Sequence, residues 1–257
     1  MESHKPRLQL LKDLGYTPAG ILDIGANVGR WTELVHDIYP TTPILMVEGN
    51  TDHTDILNNK LKTINEKAPN SSVSIELLSD SKKEVIFYKA SEGSTLGDSI
   101  YREKTSHYSN KNVIKETRIT KTLDELTKNI DIIFDFIKLD VQGSEADVLK
   151  GGLNTISKAN YLLIETQLME YNANAPFIHE IISLANELDF RIADILQFHY
   201  LPDGRLNEVD ILFSKKDNPN LILSSSENTV DLRHKYDICN NKISLRKIIN
   251  RYVNKTI

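Results

Sequence analysis

Short apolar runs alternate with longer, helically spaced ones along most of the chain. The runs "ILDIG" (21–25), "ILMVEG" (44–49), "DFIKLDV" (135–141), "YLLIET" (161–166), "FRIADIL" (190–196) and "EVDILFSKK" (208–216) have the length and apolar content of buried strands. Residues 4–16 instead carry Leu8, Leu10, Leu11 and Leu14 along one side of a helix that Gly15 ends. A second helix over 28–38 stops before Pro40 and Pro43. A polar helix runs from 51 to about 67, with Thr51 or Asp52 suited to its N-cap. "VSIELL" (73–78) and "EVIFYKA" (84–90) read as two strands joined by the turn "SDSKK", and "NVIKETRIT" (112–120) as a further strand. "TLDELTKN" is a short helix, and longer ones fall near 144–150 and 176–188. Strands alternating with helices predict βαβ units, hence a mostly parallel α/β sheet with helices on both faces. The last two strands are joined by "PDGR" (202–205), too short for a crossover, so that pair is expected to be antiparallel.

In such sheets ligands bind beyond the carboxyl ends of the strands. Five strand ends place polar or acidic groups at that rim: "DIGANVG", "VEGN", "LLSD", "KLDVQGSE" and "IETQ". Any one of them is ordinary; five along one edge predict a site. The most specific is "GILDIGANVGRW" (20–31), where Asp23 precedes a glycine turn at Gly25 and Gly29 opens a helix. A dinucleotide site prefers G-x-G-x-x-G with pyrophosphate on the helix start. Here Asn27 stands where that pattern wants glycine, and Asp23 is a poor companion for a pyrophosphate. A carboxylate beside the turn suits an ammonium, and Glu48, ending the second strand, suits two ribose hydroxyls. Ribose plus ammonium without phosphate describes S-adenosylmethionine.

Composition narrows the partners. The chain has 257 residues, 40% apolar and 26% charged, enough for one sizeable α/β core. Its single cysteine, Cys239, makes no internal disulfide, which suits a reducing cytoplasm. Net charge −5 argues against nucleic acid as the main partner. No run is long enough to span a membrane, and "MESHKPRLQL" has no apolar core for a secretory signal.

"DIGANVGRWT", "LMVEGN", "TKTLDEL", "FIKLDVQGSEADVLKGG" and "LLIETQ" together resemble the FkbM family of S-adenosylmethionine-dependent methyltransferases, over roughly residues 4–216. The resemblance implies a Rossmann-like class I methyltransferase fold with a seven-stranded sheet. It also implies O-methylation of sugar or polyketide hydroxyls. By it, Asp23, Gly25, Asn27, Gly29 and Trp31 belong to the methionine-side loop, Glu48 with Gly49 and Asn50 to the ribose, and Ser79 and Asp80 to the adenine. Gly49 and Asn50 replace the family's more usual Glu-Pro step, and Gln142 stands where many relatives carry Glu. The expected organisation is a methyltransferase domain over 1–216, with a small hairpin insertion and a loop insertion at 91–111. A helical extension follows over 217–257.

Methyl transfer asks mainly for in-line alignment, plus a base for a weakly acidic hydroxyl. Asp140 and Glu165, each ending a central strand, are the candidate carboxylates; they could act as base or together bind Mg²⁺. Asp140, which would also face the cofactor, is expected to be essential, and His199 to contribute less. The bland alternative for Asp140 is a cap on the helix near Ser144. Tyr101, Arg102 and His107 in the long polar loop suit a sugar acceptor. The end "KISLRKIINRYVNKTI" has five basic residues and no acid; a helix packed on its own domain is the favoured reading, and docking on a membrane surface, a partner enzyme or a second copy of the chain as a homodimer is the alternative. Two other functions compete: a nucleotide-sugar oxidoreductase, and a non-catalytic S-adenosylmethionine-binding partner of a glycan enzyme.

Overall fold

The computed structural model describes residues 3–218 except 106 and 110; the helical extension expected beyond them lies outside the described residues. Seven strands form the main sheet: β1 (Ile21–Ile24), β2 (Ile44–Glu48), β3 (Ser72–Ile75), β7 (Phe136–Leu139), β8 (Tyr161–Gln167), β9 (Phe190–Tyr200) and β10 (Leu206–Lys215). Their order is β3-β2-β1-β7-β8-β10-β9. Neighbours are parallel from β3 through β8, and β10 runs antiparallel to both β8 and β9. This is the class I Rossmann-like methyltransferase arrangement expected from the sequence, with the antiparallel final pair where the short turn requires it.

Central strands are buried on both faces, so their sequences are mostly apolar rather than alternating, and the charged pair they carry, Asp23 of β1 and Lys138 of β7, is buried together. One face packs Leu22, Ile24, Ile137, Leu139 and Ile164 under α5 (Glu145–Gly151), α6 (Leu153–Ile156) and α7 (Ile178–Glu187). The other packs Ile21, Met46, Phe136 and Tyr161 under α1 (His4–Asp13), α2 (Arg30–Ile38) and α3 (Thr54–Asn65). A short 3-10 turn (Thr51–His53) precedes α3, and its cap is Asn50, whose side chain accepts the Asp52 N–H, rather than Thr51 or Asp52.

The expected pairing of 73–78 with 84–90 does not occur. The first run breaks after Ile75: its head pairs with β2 in the main sheet, and its tail becomes β4 (Leu77–Leu78) in a separate three-stranded sheet. There β6 (Val113–Lys121) lies between β4 and β5 (Glu84–Ala90), so the hairpin insertion is β5 with β6, closed across the 91–111 segment. Glu76 marks the break, its N–H bonded back to the Glu48 carbonyl. The short helix after β6 is α4 (Leu123–Thr127), started by a Thr122–Glu125 capping box. No helix among the described residues is long and apolar enough to cross a membrane.

Candidate active site

A cavity of about 610 Å³ opens at the carboxyl ends of β1, β2, β7 and β8. The sheet ends form its floor, the 94–108 segment one side, and α1 with the β9–β10 hairpin the other. Of the residues expected there, Gly25, Asn27, Glu48, Gly49, His107, Asp140, Glu165 and His199 line it.

The floor starts at the glycine turn. Gly25 has φ +80°, and a Cβ on it would lie 1.7 Å from the Asp140 carbonyl oxygen, so close packing of two strand-end loops demands the glycine. Gly25 and Ala26 donate their N–H groups to the Val47 carbonyl, and Asn27 donates its own to Glu48 Oε2 at 2.7 Å. Glu48 Oε1 accepts the Asn50 N–H, also at 2.7 Å. The amides of the turn are therefore spent within the protein, and the Glu48 carboxylate is fixed against it.

Several expected residues sit elsewhere. Asp23 is fully buried behind the floor, where it accepts from Thr32 Oγ1 at 2.5 Å and pairs with Lys138 Nζ at 3.2 Å. It does not face the cavity because its strand points it toward α2. Trp31 is core, stacked on Phe136 with Lys138 over its ring. Gly29, in the left-handed region, caps α2 below the floor. Asn50 is buried and ties Asp98 to the ribose-side loop by a 2.7 Å bond. Ser79 and Asp80 lie past the break in the third strand. Ser79 packs under Gly151, and Asp80 pairs with Lys83 at 2.7 Å. The apolar surface on that side comes from Leu77, Leu78 and Phe87. No local motif marks Phe87, which is buried in a strand whose first three residues are exposed or half-buried.

At the end of β7, Lys138 Nζ lies 3.2 Å from Asp140 Oδ2 and the same distance from Asp23. Burial pushes the Asp140 carboxyl up, but the Lys138 ammonium and hydrogen bonds to Glu165 and Gln142 outweigh it and hold it below the usual carboxylate range. Burial, reinforced by the Asp140 charge, pushes Glu165 well above that range. Between the two, the charge is favoured on Asp140 and the proton on Glu165, which lowers the basicity of Asp140. Gln142 Nε2 donates to both carboxyls, to Asp140 at 3.1 Å. That sharing occupies the pair proposed for Mg²⁺.

Against the opposite wall, Asp210 on β10 accepts from two imidazoles, His4 Nε2 at 2.7 Å and His199 Nε2 at 3.2 Å. These rings hold its carboxyl well below its ordinary range against the opposing effect of burial. Glu165, His199 and Asp210 lie close together, but the two histidines satisfy Asp210 without a cation, so the grouping reads as a hydrogen-bonded cluster. Glu208 also lines this wall; burial, opposed by His199, pushes its carboxyl up to about 7. His4, Glu208 and Asp210 were not foreseen: no local motif marks them, and they meet only across the fold.

The 94–108 segment is folded onto the site by a buried hub. Asp98 accepts the Ala90 N–H and the Tyr108 hydroxyl, each at 2.8 Å, while Thr95 Oγ1 bonds Asn27 and His53. His107 lines the cavity, with Nε2 2.8 Å from the Ser94 carbonyl. Tyr101 and Arg102 do not: the Tyr101 hydroxyl donates to Asp147, and Arg102 to the Tyr108 carbonyl. Both brace the segment from outside.

A family model for the methyltransferase FkbM domain matches residues 23–192. The chain belongs to that family. Among solved structures it is similar to the methyltransferase FkbM from Methylobacillus flagellatus KT, with 18% identity and TM-score 0.48, over 76% of this chain and 43% of that one. It spans less than half of that protein's length. It is also similar to the magnesium protoporphyrin IX methyltransferase from Synechocystis PCC 6803 with bound SAM, at 9% identity and TM-score 0.45 over 83% and 80% of the two chains. A putative RNA methyltransferase from Pyrococcus horikoshii has 14% identity and TM-score 0.44 over 85% and 83%. A search of curated proteins returned no match. In this FkbM methyltransferase the glycine turn, Glu48, Lys138, Asp140 and Glu165 lie inside the matched span, whereas His4, His199, Glu208 and Asp210 lie outside it.

Proposed function

We propose that this FkbM methyltransferase uses S-adenosylmethionine to methylate a hydroxyl of a sugar, carried in a glycan, a glycoside or a nucleotide sugar. The observation that carries the cofactor assignment is the state of the glycine turn. Its N–H groups at Gly25, Ala26 and Asn27 already have acceptors, so no backbone cradle is left for a pyrophosphate, while Glu48 presents an oriented carboxylate to the cavity. That favours a ribose without phosphate and counts against the nucleotide-sugar oxidoreductase.

S-adenosylmethionine supplies a methyl group on a good leaving group, so this chain needs only to bind, orient and manage a proton. Glu48 accepts from the ribose hydroxyls, and Leu77, Leu78 and Phe87 offer an apolar seat to the adenine. Asp140, held ionised by Lys138, offers a fixed negative charge to a cationic ligand. The acid- and histidine-rich far wall suits hydrogen bonding to a polyhydroxylated acceptor.

Calorimetry tests the cofactor. S-adenosylmethionine and its demethylated product should bind while NADH does not, and Glu48→Ala should lose about 1–3 kcal/mol with the charge-assisted ribose contact. Equal affinity in the two proteins removes Glu48 from the site. Label transfer from methyl-labelled S-adenosylmethionine to a panel of sugars and nucleotide sugars tests the acceptor. Binding without transfer to any of them would favour the non-catalytic partner.

A further inference from the structure

One carboxylate facing two imidazoles from distant parts of the chain needs an explanation beyond packing. His199 Nε2 lies 3.3 and 3.2 Å from the two oxygens of Asp210, and His4 Nε2 lies 2.7 Å from Oδ2. The His4 ring is buried, and its Nδ1 has no hydrogen-bond partner. A proton on that Nδ1 would be a buried donor without an acceptor, which costs more than an idle lone pair. The tautomer that fits has the proton on Nε2, donated to Asp210. His4 therefore donates to Asp210 through Nε2, and His199, the more exposed of the two rings, is the one placed to meet a ligand.

The His199 side chain is 31% exposed and lines the cavity. Donating Nε2–H to Asp210 leaves the Nδ1 lone pair available, and its neighbour there, Gln197 Nε2, stands 3.4 Å away, a long contact that an acceptor hydroxyl can displace. α1 is held to this strand by Arg7 with Asp194 at 3.0 Å and by Ser3 with Gln197 at 2.7 Å, which seats His4 behind Asp210.

We propose that His199 is the catalytic base, taking the acceptor's proton on Nδ1, and that Asp210 and His4 are positioning residues that fix its ring. The proposal rests on the reading of this site as one that methylates a hydroxyl. The acceptor O–H bond breaks as its oxygen bonds to the methyl carbon. The proton goes to Nδ1, and the electron pair of the methyl–sulfur bond stays on sulfur. The positive charge passes from sulfonium to imidazolium, where Asp210 stabilises it. Solvent takes the proton afterwards.

Several groups face His199: Asp210 and Glu208 from β10, Glu165 from β8, Asp140 after β7, and His4 from α1 through Asp210. The hydrogen bond to Asp210 raises its pKa above the usual imidazole value against the opposing effect of burial. Turnover should therefore rise with pH through that raised pKa, and Asp210→Asn should move the rise to lower pH.

Nitrogen-detected NMR of the cofactor-free full chain, with His199→Gln and His4→Gln to assign the rings, reads the arrangement directly. Protons on Nε2 of both rings, and a His199 midpoint that falls in Asp210→Asn, support the proposal. A His199 proton on Nδ1, or a midpoint that Asp210→Asn leaves in place, overturns it. In the sugar-panel assay, His199→Gln should lower kcat by roughly 10²-fold or more with KM for S-adenosylmethionine within about twofold. His4→Phe should lower kcat less, and His4→Gln, which keeps a donor toward Asp210, should recover part of that loss. Near-normal turnover in His199→Gln overturns the base assignment. Failure of the wild type to bind S-adenosylmethionine would instead defeat the methyltransferase reading, an outcome the ring tautomers do not depend on.

Discussion

The two walls of the cavity are built on opposite plans. On the glycine-turn wall the carboxylate of Glu48 is held by backbone N–H groups, from Asn27 and from Asn50, its neighbour but one. On the hairpin wall the carboxylate of Asp210 is held by side chains, one of them 206 positions away in sequence. Backbone donors come with any residue type, so the first wall constrains the chain through conformation and leaves glycines as its trace. Side-chain donors demand particular residues but no local pattern. The first wall lies within the span shared with the family, and much of the second lies outside it.

Lys138 joins the two plans, because its ammonium bridges buried Asp23 behind the floor to Asp140 at the rim. Lys138→Met should have the largest effect. It strands the Asp23 charge in the core, and denaturant titration should show a loss of about 3–5 kcal/mol. A loss under about 1 kcal/mol would mean that the floor does not depend on this bridge. Gly25→Ala comes next. It puts a methyl group against the Asp140 carbonyl at a positive φ, and thermal unfolding should report about 3 kcal/mol together with weakened cofactor binding. Normal stability and affinity in that variant would show that the two loops can separate freely.

A smaller effect depends on pH. Glu145 begins α5 fully inside the protein, and burial pushes its carboxyl up to about 7 although it accepts the N–H groups of Val141 and Gly143. The folded state then keeps a proton between about 4.5 and 7 that the unfolded state has released, so this group lowers stability as pH rises through that window. Glu145→Gln should flatten the decline, with the difference from wild type reaching up to about 3 kcal/mol above pH 7. Parallel stability–pH curves for the two proteins would contradict it. The smallest effect is expected at Asp80, whose ion pair with Lys83 is solvent-exposed. Asp80→Ala should change stability and cofactor affinity by less than about 0.5 kcal/mol. A larger loss of affinity would return Asp80 to the adenine side.

The alternation of runs was enough to read the sheet, its parallel core and the antiparallel final pair, because burial on both faces leaves short, mostly apolar runs and a four-residue turn permits only one direction. It failed at 73–78, where one apolar run serves two sheets and only the partners decide where it breaks. Among candidate site residues, Gly25, Asn27 and Glu48 were legible because a left-handed turn and a strand-end acid leave local marks. Trp31 and Asp23 share that motif yet point into the core, since the motif specifies backbone shape and not which side chain meets the cavity.

What the sequence determined by itself is the class of fold, the glycine turn and the acid that closes it, all set by contacts of short range or by periodicity. The tertiary structure alone decided the distribution of charge and protons at the rim. Lys138 lies against Asp140 and helps to hold its carboxyl below the usual range, while burial, reinforced by the Asp140 charge, pushes Glu165 well above it. His199 faces a fixed carboxylate because His4 arrives from the other end of the chain. Ionisation depends on distance and desolvation, and neither exists until strands remote in sequence are packed side by side.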